Sequence, residues 1–184
     1  MQRMIINLKS LNVLFALSIL FALFGAVAPA TAQNKEADTF VMEQVELTED
    51  HITGYLQIAP KLSEMFDRID KAGGEPDKKL VGELEALAKV GGFQSFEELE
   101  IVVSNINFVM SGIDEETGTF TEPVEVLKAE LKDTQADKSI QGEEKEQLVA
   151  SIKESIAQTP KLKYPGNVDI VKKHMKALTA LYQE

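Results

Sequence analysis

From Ile52 to Tyr182 the apolar residues of this chain recur at intervals of three and four, and the strict alternation of a half-buried strand is nearly absent. That spacing restricts the fold to helices that each bury one stripe. Ile52, Tyr55, Leu56, Ala59, Leu62, Met65, Phe66 and Ile69 share one face of a helix expected over about 48–72. Thr48 is its expected N-cap, with Glu49 and Asp50 complementing the positive end of the helix dipole. Pro60 removes a backbone donor, so a kink or split is expected near Ile58–Ala59. Gly73-Gly74 ends the helix.

A second helix is expected from Pro76 or Asp77 to Val90, with Leu80, Val81, Leu84, Leu87 and Ala88 inward and Gly91-Gly92 as a left-handed stop. Ser95 and Glu98 read as a capping box for the third, with Phe93 placed as a hydrophobic staple. Its run from Ile101 to Met110 is apolar on nearly all sides, which predicts the central helix. Pro123 opens a fourth helix to about Gln135, with Val124, Leu127 and Leu131 inward. A fifth runs from about Gln141 to Gln158 and carries Leu148, Val149, Ile152 and Ile156. After the breaker-rich stretch Pro160–Pro165, Asn167 is expected to cap a last helix bearing Val168, Val171, Met175, Leu178 and Tyr182. The expectation is an all-α bundle of five or six helices.

Met1 to Ala32 has the three parts of a secretory signal peptide. Arg3 and Lys9 give a positive start, Leu11 to Val27 is apolar, and Ala30-Thr31-Ala32 has the small residues that signal peptidase accepts. Cleavage is expected after Ala32, which sends the protein into an exported compartment. The rival reading is an uncleaved anchor, since no charge falls between Ser10 and Asn34. Against it stand Pro29 and the absence of a basic stop-transfer cluster. The expected organisation is a signal peptide at 1–32, a flexible mature N-terminus at 33–46 with Phe40, Val41 and Met42 as apolar side chains for docking, and a single helical domain at 47–184.

Cleavage leaves 152 of the 184 residues, and with Arg3 and Lys9 removed the balance is 17 basic against 30 acidic, a net charge of −13. One self-sufficient core fits this length. The acidic balance repels phosphate backbones, so nucleic acid is not an expected partner, and charge alone disfavours an anionic membrane. The chain has no cysteine. Packing must then stabilise it in an oxidising compartment, and thiol nucleophiles, Cys-ligated zinc and iron–sulfur clusters are excluded. No cofactor is expected.

Candidate chemistry is sparse. The two histidines, His51 and His174, form no His-x-x-x-His pair; His51 lies beside Glu46, Glu49 and Asp50 at a solvated helix start, and His174 reads as surface. No Gly-x-Ser-x-Gly and no phosphate-cradling glycine loop occurs. The loop from Asp114 to Glu125 has the length and acidic ends of a calcium-binding EF-hand loop, with Glu116 between them. Its glycine, Gly118, comes one place early and Pro123 stiffens its end, so Asp114, Glu116 and Glu125 stand as a secondary metal-site expectation. Ser104-Asn105-Ile106-Asn107 is the polar anomaly in the most apolar helix. A buried Asn needs partners. Either these amides bond neighbouring backbone and helix ends, or one of them lines a pocket walled by Tyr55, Met65, Phe66, Phe108 and Met110. The binding candidates are therefore Tyr55, Asn105, Asn107 and Phe108.

The strings Ile52-Thr53-Gly54-Tyr55, Gly92 to Leu99, Met110 to Asp114 with Thr117 to Phe120, and Tyr164 to Asn167 resemble small exported helical proteins of Gram-negative bacteria, most of them uncharacterised. The resemblance implies an exported helical bundle and a periplasmic address, and brings no functional residues. The expected function is non-enzymatic binding, of a small amphiphile held between helices or of an envelope protein partner, without stable membrane insertion after cleavage. The alternative is an acidic divalent-cation-binding protein using the Asp114–Glu125 loop, and behind it an enzyme of unrecognised class.

Overall fold

Local stop and start signals set the helix limits of the computed structural model, which describes residues 42–182. The signal-type segment, its cleavage point and residues 33–41 lie outside the described residues. Six helices follow in order: α1 (Glu49–Lys71), α2 (Lys78–Val90), α3 (Phe96–Met110), α4 (Pro123–Ala136), α5 (Gly142–Gln158) and α6 (Gly166–Ala180). Among the described residues there is no strand, and the one β-contact is an isolated bridge between Ile113 and Phe120.

The caps explain the boundaries. The Thr48 hydroxyl accepts from His51 N–H, and His51 Nδ1 accepts in return from Thr48 N–H at 3.2 Å, a capping box with histidine in the usual Glu/Gln place. Asp77 and Ser95 cap α2 and α3 through the N–H groups of Leu80 and Glu98. The reciprocal half expected at α3 is displaced by one residue: the Glu98 carboxylate takes the N–H of Gln94. Gly92, at φ 87°, supplies the left-handed step after α2.

Pro60 does not split α1, which runs unbroken from Glu49 to Lys71. Both halves bury residues in the same core, Ile52, Tyr55 and Ile58 before Pro60 and Leu62, Met65 and Ile69 after it, so packing outweighs the lost hydrogen bond. Asn167 does not cap α6 either. It lies just inside the helix, whose N-cap is Pro165, and its side chain bonds elsewhere.

The core is formed by α1, α2, α3 and α6. Helix α1 packs on the other three, and α3 packs on α1, α2 and α6. As its composition predicts, α3 is the most enveloped helix, burying Phe96, Leu99, Val102, Val103, Asn105, Ile106, Phe108, Val109 and Met110. Helices α1 and α2 meet with almost no side chain between them: a Cβ on Gly54 would lie 2.0 Å from the Gly91 carbonyl oxygen. Helices α4 and α5 pack on each other, and neither adds a residue to the central apolar cluster.

Candidate functional site

Residues 42–46, expected from sequence to belong to a flexible N-terminus, are extended and docked. Three carboxamides hold this arm. Asn105 on α3 donates from Nδ2 to Glu43 C=O (2.9 Å) and accepts at Oδ1 from Val45 N–H (3.1 Å). Asn167 on α6 repeats the pattern two residues on, donating to Val45 C=O (2.9 Å) and accepting from Leu47 N–H (2.8 Å). In both, one amide takes the carbonyl of residue i and the N–H of residue i+2, as a neighbouring parallel strand would. The two asparagines thus act as a parallel strand edge made of side chains. Gln44 reaches outward from the arm and grips Lys161 C=O and Lys163 N–H, both at 2.8 Å, in the same i, i+2 pattern.

This arrangement answers the polar anomaly of α3. Asn105 is 2% exposed and Asn167 1%. Asn105 also donates to Ile101 C=O at 2.8 Å, so both its donor hydrogens and its oxygen are engaged with backbone. Asn107, two residues along the helix, points to nearly the opposite side. It accepts from the Tyr182 hydroxyl at 2.7 Å. Tyr55 is buried close by, and that burial, with the Tyr182 hydroxyl beside it, pushes its phenol well above the ordinary range. The structure therefore brings Tyr55 and Asn107 together at the junction of α1, α3 and the end of α6, and sends Asn105 to the arm. Phe108 is buried outside the central cluster. Met65 and Met110 are packed into that cluster and Phe66 lies against it.

The Asp114–Glu125 loop is organised by its own hydrogen bonds. Asp114 Oδ1 accepts from the Thr117 N–H (2.7 Å) and hydroxyl (2.8 Å), contacts that hold its carboxyl below the usual range. Gly118, at φ 65°, turns the chain back so that the Asp114 N–H reaches Thr119 C=O. Glu125 lies in the first turn of α4 and pairs with Lys128 at 2.7 Å. Asp114, Glu116 and Glu125 are not gathered as ligands: among the described residues no group of three His, Cys, Asp or Glu side chains is placed to hold a metal.

His51 stacks on Phe93, ring centroids 6.3 Å apart, and borders an open cleft of about 330 Å³ with Glu43, Ser95, Glu97, Glu98 and Ile101. On the other side of α1, His174 and Lys173 grip Glu49 at 2.6 and 2.7 Å, and first Lys173 and then His174 hold its carboxyl below the usual range. His174, read from sequence as surface, is thus partly covered and engaged.

Glu100 is the one carboxyl here pushed up to about 7, chiefly by burial and then by Glu97 and Glu85. A raised acid pKa means that the folded protein keeps a proton that the unfolded chain releases between about pH 4.5 and 7. Stability should therefore fall as pH rises through that window. Glu100→Gln is expected to stabilise the protein at pH 8 by about 1 kcal/mol, discounted because the carboxyl is only half-buried, and to leave it nearly unchanged at pH 4. Urea unfolding at the two pH values checks this, and equal gains at both would refute it.

Sequence reasoning missed Asn167 and Gln44 as arm contacts. Asn167 carried a signal, a polar residue at the start of an apolar stripe, but that signal reads equally as a helix cap. Gln44 carried none. No family model, curated protein or solved structure matches the chain.

Proposed function

We propose that this is a periplasmic, non-enzymatic protein whose α4–α5 hairpin binds an envelope protein partner. The observation behind this reading is that two helices of 14 and 17 residues add nothing to the central core. Their shared seam buries Leu127 and Ile152 and leaves Val124, Leu131, Leu148, Val149 and Ile156 half-covered, while Val126 stands 37% exposed. An amphipathic hairpin outside the core suits docking of another helix against its half-covered apolar seam. The small-amphiphile reading draws less support, because Asn105 is fully engaged by backbone and the side chains meant to wall the pocket are packed.

A photo-reactive phenylalanine analogue placed at Val126 tests the proposal. Irradiation in producing cells is expected to give one discrete adduct with an envelope protein, and none from the same analogue at Val90, which is 62% exposed on α2. Bound lipid in native mass spectra, together with no adduct at Val126, would instead return the function to amphiphile binding.

A further inference from the structure

The net negative charge hides a strong segregation. Between residues 42 and 158 there are 11 basic and 26 acidic side chains; from 159 to 182 there are five lysines against Asp169 alone. Lys172, Lys173 and Lys176 lie on one side of α6 by their spacing, and all three are exposed. Only Lys173 has a carboxylate within 4.0 Å among the described residues, its partner being Glu49. The connection leading into α6 adds to the strip. Gln44 holds it by the backbone of Lys161 and Lys163, and both of these side chains are exposed. Leu162 between them turns inward against the core.

We propose that this strip docks the protein peripherally on a bilayer surface bearing anionic phospholipid headgroups. Several observations favour a bilayer over an acidic protein. The cations are all lysines, hydrated point charges without the bidentate fork that recognises individual carboxylates. They are spread along a loop and a helix instead of converging on a pocket. A tyrosine accompanies them: Tyr164, beneath the Lys163 ammonium at 4.9 Å, is suited to headgroup depth. No helix among the described residues is long and apolar enough to cross a membrane. The acidic excess over residues 42–158 makes the docking directional, favouring contact through the lysines. Each lysine within a Debye length of the surface strengthens partitioning about fivefold.

The test is vesicle co-flotation of the chain from Gln33 onward, which holds the whole described fold. Vesicles of phosphatidylglycerol and phosphatidylcholine are compared with phosphatidylcholine alone. Binding is expected only to the anionic vesicles, lost at high salt, and weakened at least about twentyfold in Lys172→Glu/Lys176→Glu. The charge control Lys78→Glu/Lys79→Glu on α2 should change it little, and circular dichroism confirms that both variants are folded. No flotation with anionic vesicles at low salt would overturn the proposal, as would equal loss in the two variants. Equally strong, lysine-dependent binding to soluble polyglutamate would also overturn it, in favour of an acidic protein partner. None of these readouts involves α4 or α5, so the result stands apart from the hairpin reading.

Discussion

Asn167→Ala should lower stability by about 3 kcal/mol, and the melting temperature by about 6–12 °C, because it leaves the Val45 carbonyl and the Leu47 N–H without partners. Both groups lie where the arm meets the core, and Leu47 is 2% exposed. Stranding two backbone groups costs more than deleting a surface contact, since water cannot replace the amide. The arm should loosen before the helices do. Hydrogen exchange would then show early loss of protection at Val45 and Leu47 with α1 to α3 still protected. A loss below about 1 kcal/mol, or uniform loss of protection, would mean that the arm contributes little.

The second large effect is expected at Gly54. A methyl group there would overlap the Gly91 carbonyl oxygen, a backbone atom held by the end of α2, so relief requires α1 and α2 to move apart. Gly54→Ala is expected to cost about 3 kcal/mol or more. Gly82, in the middle of α2, has nothing within 4 Å of the same position. Gly82→Ala should therefore stabilise the protein by about 0.5–1 kcal/mol through helix propensity and reduced freedom of the unfolded chain. Opposite signs for one substitution at two helical glycines separate close packing from propensity. Chemical denaturation of the pair decides it, and a Gly54→Ala protein of ordinary stability would show the helices to be further apart than described.

Helix identity was legible because its signals are local. Thr48, Asp77 and Ser95 announce their helices within four residues, and Pro123 opens α4 by removing a donor that the first turn does not need. Pro60 misled because a local rule met a non-local force: buried residues on both sides of it tie α1 into one piece. The arm was illegible for the same kind of reason. Its partners lie 60 and 120 residues away, and nothing in the spacing of Glu43, Val45 and Leu47 marks them as a docked strand. Among the candidate site residues, the need of Asn105 for partners was readable from a polar side chain in an apolar helix. Which backbone would satisfy it was not. Tyr55 and Asn107, read as binding candidates, meet at Tyr182, which read only as the end of a stripe.

The clamp on the arm also sets an order of events. A chain made from its N-terminus presents Glu43 to Leu47 early, and Asn105 can take hold of the first half of the segment once α3 has emerged. The Leu47 N–H must wait for Asn167, 120 residues later. Until α6 arrives the arm from Glu43 to Leu47 has no finished place to sit. Helix α6 thus works as a latch on the arm, which no shorter stretch of the fold can close.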